Sequence, residues 1–226
     1  VINKGISYDM ICNNPREGYR HWILNKNIAG KKLNDFIGGW LTVNLNSLIM
    51  EDNLPPVANN KDGVIYYGTY RKWREDAFKR FLTKGVTLSA SNKNWKKFEA
   101  IGCDCNFIPK LEWPKGNEDL RNYKYSIYIE DIHTHKNYAF LANRFYEALM
   151  ADVVILFDAE CSNTIAKCGY ALHEDTIIDK SKLKNGIADY TKTLDFKKLL
   201  EYQRSFLHKA ISEKKDAIKL IKDFIQ

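Results

Sequence analysis

No uninterrupted apolar run in the sequence approaches the roughly 20 residues that a membrane-spanning helix needs, and no secretory signal pattern opens it. Those two absences predict a soluble, cytoplasmic protein with no membrane span. The chain has five cysteines, an odd number without secretory context, which argues for reduced thiols rather than a disulfide framework. It has no C-x2-C pair. Cys103 and Cys105, with His133 and His135 about thirty residues further on, lack the spacing of a zinc ribbon, so ordinary buried cysteines and surface histidines are the better reading. Also missing are a G-x-G-x-x-G dinucleotide loop, a Walker loop, a nucleophile elbow and a metal quartet. The commonest α/β enzyme chemistries lose their motifs with them. No internal repeat or low-complexity segment is present.

What the sequence does contain fits a folded chain. Hydrophobic residues make up 45% and charged residues 28% of its 226 positions, enough for one large or two small domains. Lys plus Arg outnumber Asp plus Glu by 35 to 28, giving a net charge of +7. That balance suits a polyanionic partner, although lysine runs such as Lys197-Lys198 and Lys214-Lys215 read as solvated helix faces. Residue 1 is Val rather than Met, so the sequence reads as a fragment or a processed form.

The pattern changes near residue 60. Before it, Tyr8 to Cys12 and Trp40 to Leu45 are strand-like and Tyr19 to Leu24 is helix-like. The Pro-, Asn- and Gly-rich stretch from Glu51 to Gly63 then reads as a linker. From Val64 on, short apolar runs alternate with helical periodicity. Strands are expected at Val64–Tyr67, Val86–Ala90, Asn106–Ile108, Tyr125–Ile129 and Val153–Phe157. Helices are expected at Arg74–Leu82, Asn94–Ile101, Asn117–Asn122 and Phe140–Met150. Apolar strands without polar alternation, separated by helices, imply a parallel sheet covered on both faces, the Rossmann-like α/β layout. Apolar residues at three- and four-residue spacing after Leu199 predict packing helices. The expected organisation is an N-terminal remnant and linker over 1–60, a nucleotide-binding domain over 61–195 and C-terminal helices over 196–226.

Ligands of such sheets bind at the carboxyl ends of the strands. Gly68-Thr69-Tyr70-Arg71 falls at one of these ends. There Gly68 suits a tight turn, Thr69 offers a hydroxyl and an N–H, and Arg71 with Arg74 offers charge for a pyrophosphate. Alone, the segment reads better as a helix cap followed by surface arginines. Arg144 and Glu147 share one helix face. The carboxylate suits the hydroxyls of a ribose and the arginine a phosphate; the simpler reading is an exposed ion pair. The position of that helix between two apolar strands favours the site.

In this order, the motifs resemble the donor-binding half of GT-B glycosyltransferases, most of all the bacteriophage DNA β-glucosyltransferase family. The resemblance is carried by Gly68-Thr69-Tyr70-Arg71, Arg74, Arg144-Phe145-Tyr146-Glu147 and the strand Ala151 to Asp158, and it covers residues 64 to about 175, half of the chain. It implies a UDP-sugar site in which Thr69, Arg71 and Arg74 hold the diphosphate, Glu147 the ribose and Arg144 a phosphate oxygen. Asp131, in the Glu130-Asp131 pair that ends a strand, is implied as a sugar or metal contact. The second arginine follows the first by three residues rather than the family's four, which leaves its direction open. The catalytic base is not identified; Asp9 is the early carboxylate nearest a strand end. The expected activity is transfer of a hexose from a UDP-sugar donor to an acceptor hydroxyl, with hydroxymethylated DNA as the acceptor the resemblance favours. A glycan acceptor and a non-catalytic nucleotide- or nucleic-acid-binding module are the alternatives. No metal ligand is marked, and a divalent metal is left open.

Overall fold

In a computed structural model, the structure describes residues 45–52, 58–112, 115–130 and 141–225. The elements expected before residue 45, together with Asp9, Asp131, His133 and His135, lie outside them.

Six short runs form one sheet: β1 (Val64–Tyr67), β2 (Val86–Ala90), β3 (Asn106–Pro109), β4 (Tyr125–Tyr128), β5 (Val154–Asp158) and β6 (Ile177–Ile178). Their order is β3-β2-β1-β4-β5-β6, and every neighbouring pair is parallel. Residues along β1, β4 and β5 are buried at every position, because parallel strands are covered by helices on both faces. The connecting helices are α1 (Glu75–Phe81), α2 (Asn92–Ala100), α3 (Lys115–Leu120), α4 (Asn143–Met150), α5 (Ser162–Lys167), α6 (Ile187–Thr191), α7 (Phe196–Arg204) and α8 (Phe206–Ile225).

Successive strand side chains alternate between two cores. Ile65, Tyr67, Tyr128, Ile155 and Phe157 pack with Phe145, Ala148 and Leu149 of α4 and Ala210 of α8. Val64, Tyr66, Leu88, Ile127 and Leu156 pack with Phe78 and Phe81 of α1, Phe98 of α2 and Leu199 of α7. Each such large side chain contributes about 1.5–3 kcal/mol by leaving water. The 3-10 helix Leu45–Ile49 lies against α8 and α4, Met50 is buried, and the Lys214 amine donates to the Met50 carbonyl at 2.5 Å.

The short β6 leaves part of β5 unpaired on the side away from β4, since their register pairs only Phe157 and Asp158. Gln203 of α7 fills the gap: its amide donates to the Val153 carbonyl and accepts from the Ile155 N–H, both at 2.8 Å. Between α4 and β5 the chain turns through Asp152, which has φ of +52°. Aspartate tolerates that left-handed conformation better than most residues. Its fully buried carboxylate accepts from Arg204 Nε at 2.9 Å.

The expected strands coincide with the observed ones to within about a residue at their ends, and the alternation of strand and helix is as expected. β6, α5 and α6 were not expected: they span two, six and five residues, too short to carry a periodic signal. The four described cysteines are free thiols. Burial pushes Cys103 up to about 11 and Cys105 up to about 12.

Candidate functional site

The strand order reverses at β1, where β2 and β3 lie to one side and β4 to the other. A reversal of this kind opens a crevice at the carboxyl ends of the two strands, where open parallel sheets take ligands. Here those ends deliver Gly68 after β1 and Glu130 after β4.

Glu130 sits between two arginines. Its Oε2 is 2.9 Å from Arg74 Nη2, and its Oε1 pairs with Arg144 Nη2. All three side chains are largely withdrawn from solvent, with 8%, 10% and 15% exposure for Glu130, Arg74 and Arg144. Arg74 Nη1 also donates to the Ile129 carbonyl at 3.3 Å. Arg144 Nη1 donates to the Tyr66 hydroxyl and the Tyr67 carbonyl, both at 3.4 Å, and its guanidinium lies 5.7 Å from the Tyr66 ring centre. Two guanidiniums held against one carboxylate repel each other. The carboxylate between them offsets that repulsion and allows one crevice to hold both. The Nε atoms of Arg74 and Arg144 are buried and have no hydrogen-bond partner among the described residues. Buried donors are nearly always satisfied, so these two N–H groups are available to acceptor oxygens that the described residues do not supply.

Two tyrosine hydroxyls hold the start of α4 against the sheet. Tyr67 donates to the Arg144 carbonyl, and the Ala142 N–H donates to Tyr128, each at 3.0 Å. Ala142 at the N-cap supplies no side-chain acceptor, so the positive end of the helix dipole is left for another anion. One turn further on, Glu147 is pushed up to about 7 by burial; Arg144 and a hydrogen bond to Tyr67 pull it only partly back. Burial likewise raises Tyr67. Arg144 takes Glu130 as its ion-pair partner, not Glu147, so α4 does not present the surface pair that i, i+3 spacing suggests.

Gly68 has a different reason for being glycine than a turn. It is not among the positive-φ glycines, but a Cβ there would stand 2.5 Å from Arg144 Nη1 and 3.1 Å from the Tyr66 hydroxyl. Close approach of the guanidinium, rather than backbone conformation, demands the missing side chain.

The structure therefore brings Gly68, Arg74, Arg144 and Glu147 together. Arg74 turns into the crevice, which the three-residue spacing had left open. Thr69 and Arg71 are exposed at its rim, with the Arg71 guanidinium 6.0 Å over the Trp73 ring. Asp131 lies outside the described residues. Glu130, the centre of the cluster, was missed as a site residue. Its signal was present in the acidic pair that ends β4, where Asp131 was preferred. Asp158, at the end of β5, pairs with Arg80 at 3.0 Å and accepts from the Glu160 N–H, a local structural role. Among the described residues, no group of three or more His, Cys, Asp or Glu side chains could hold a metal ion, and no helix is long and apolar enough to cross a membrane.

The six-stranded parallel sheet, with its crevice at the strand reversal, is a Rossmann-like α/β fold. Among solved structures, the chain is similar to the DNA-modifying enzyme β-glucosyltransferase, determined with and without uridine diphosphoglucose. That match has a TM-score of 0.62 at 21% identity and covers 80% of this chain and 56% of that one. T4 phage β-glucosyltransferase in complex with UDP and Mn2+ matches with a TM-score of 0.61 at 21% identity over 80% and 53% of the two chains. The T4 phage enzyme in complex with its UDP-glucose substrate gives 0.61 and 21% over 80% and 54%. The chain thus spans about half the length of these enzymes. No protein-family model matches the sequence, and neither does any curated protein.

Proposed function

We propose that this chain carries the donor-binding half of a glycosyltransferase that moves a hexose from a UDP-sugar to an acceptor hydroxyl. The observation that carries the reading is the buried Arg74–Glu130–Arg144 cluster at the strand reversal, with two Nε–H donors that have no partner among the described residues. It lies in a fold that the T4 phage enzyme shows with UDP-glucose bound. The diphosphate lies against Arg74, Arg144 and the start of α4, with Thr69 and Arg71 at the rim. Glu147, one turn along α4, accepts the ribose hydroxyls. As the bond to the sugar breaks, negative charge grows on the departing diphosphate, and the two preorganised guanidiniums stabilise it there. Residues 61–195 form the donor-binding unit, and 196–226 supply its packing helices. Hydroxymethylated DNA is the acceptor that the basic balance and the DNA-modifying relatives favour.

The test is calorimetric titration of the purified chain with UDP, with ADP as the control. Selective UDP binding supports the donor site, and transfer from a UDP-sugar to modified DNA then tests the reaction. Binding without turnover by any acceptor would favour a nucleotide-binding module. No binding of either nucleotide would overturn the reading.

A further inference from the structure

Arg74 turns inward from the 3-10 turn Lys72–Arg74, and its neighbour Trp73 turns outward. Among the described residues, Trp73 and Leu48 are the exposed large apolar side chains, and Trp73 is 54% exposed. An indole left in water forgoes the free energy of burial, so its place at the mouth of the crevice calls for an occupant. Its surroundings are cationic. Arg71 stacks beside it and Lys72 is exposed. Across the loop, the Lys97 amine of α2 lies 5.6 Å over the Tyr70 ring, which places the exposed lysines of that helix, Lys93, Lys96 and Lys97, on the same side. None of these five cations forms an ion pair among the described residues. The nearby acids are Glu75, held by the Tyr70 hydroxyl, and the exposed Asp76 and Glu99.

We propose that Trp73, with Lys72 and the lysines of α2, is a contact surface for a nucleic-acid strand, on which a base stacks against the indole while phosphates meet the amines. A flat aromatic face beside unpaired cations matches the two chemistries of such a strand, base and phosphate. A neutral glycan would use the ring and leave the charges unanswered. The inference rests on the donor-site reading for its meaning, since the surface adjoins the mouth of that site and would present the acceptor to it.

The experiment measures binding of a fluorescein-labelled single-stranded oligodeoxynucleotide to the whole chain at two salt concentrations, with UDP titrated in parallel. Parent, Trp73→Ala and the double variant Lys72→Ala/Lys97→Ala are compared. Trp73→Ala should weaken DNA binding about 10-fold, within the range for one stacked base, while keeping the salt dependence of the parent. The double lysine variant should instead make the dependence of log K on log salt shallower by about one to two. Both should bind UDP as the parent does. Unchanged DNA affinity in Trp73→Ala overturns the proposal. So does a marked loss of thermal stability in that variant, which would show the indole packed within the chain, or loss of binding to a neutral oligosaccharide in place of DNA. If the parent binds DNA through Trp73 but does not bind UDP, the donor reading fails and the surface stands.

Discussion

Gly68 and Arg144, distant in sequence, are in contact: a Cβ on the glycine would come within 2.5 Å of the arginine's Nη1. The glycine after β1 and the guanidinium at the start of α4 thus share one space, and the β1 turn sets where the arginine can lie. Gly68→Ala should push the guanidinium away from Tyr66 and Glu130 while leaving the sheet intact. UDP affinity is expected to fall about 10-fold or more, equivalent to about 1.4 kcal/mol, with uridine affected less because the diphosphate contact is the one lost. Equal losses for the two ligands would count against Arg144 as a phosphate contact.

Glu130 offers a test of how the arginine pair is held. Removing one partner of a buried ionic cluster leaves the remaining charges unanswered and typically costs about 3–5 kcal/mol. Glu130→Gln keeps the shape and removes the charge, so its melting temperature should fall by several degrees. UDP should restore more stability to this variant than it adds to the parent, because the diphosphate supplies the missing negative charge. Calorimetric melting with and without UDP measures both effects. A variant as stable as the parent would show that the carboxylate is not what holds the guanidiniums together.

The fold was legible where the pattern is strong. The strands Val64–Tyr67, Tyr125–Tyr128 and Val154–Asp158 are buried at every position, as strands of a doubly covered parallel sheet are. The site was legible in part, because Arg144 and Glu147 stand on a helix whose start meets the sheet edge. Glu130 was not, because two adjacent acids end β4 and sequence does not say which one turns inward. The pairing of Arg144 with Glu130 is equally a tertiary fact: spacing along a helix favours Glu147, and packing across the sheet overrides it. The contact between Gly68 and Arg144 was not legible, since close approach by a side chain remote in sequence leaves no local mark.

Gln203 makes a stability prediction away from the site. Its side-chain amide satisfies the Val153 carbonyl and the Ile155 N–H on the stretch of β5 that β6 does not reach. Gln203→Leu retains the bulk but abandons two buried backbone groups, each costing about 1–3 kcal/mol when unsatisfied. A loss of about 2–4 kcal/mol in denaturant unfolding is expected, with UDP affinity unchanged in the folded protein. A loss within experimental error would mean that water reaches that edge.

Glu147 should make ligand binding depend on pH. Burial raises it from 4.5 to about 7, the cost of an ionised carboxylate exceeding the help from Arg144 and Tyr67. The folded chain therefore holds a proton that the unfolded chain has released between those values, and this group's contribution to stability declines as pH rises through that window. Ribose hydroxyls donate to the charged form, so binding favours ionisation and expels the proton. Uridine, which carries no phosphate to titrate, should bind more tightly as pH rises from 5.5 to about 7.5 and release up to one proton at the lower end of that range. Calorimetry in buffers of different ionisation enthalpy reads that release directly. Glu147→Gln should remove both the pH dependence and the proton release, and weaken uridine above pH 7. Persistence of the same pH profile in the variant would assign the titration to another group and leave the ribose without its carboxylate.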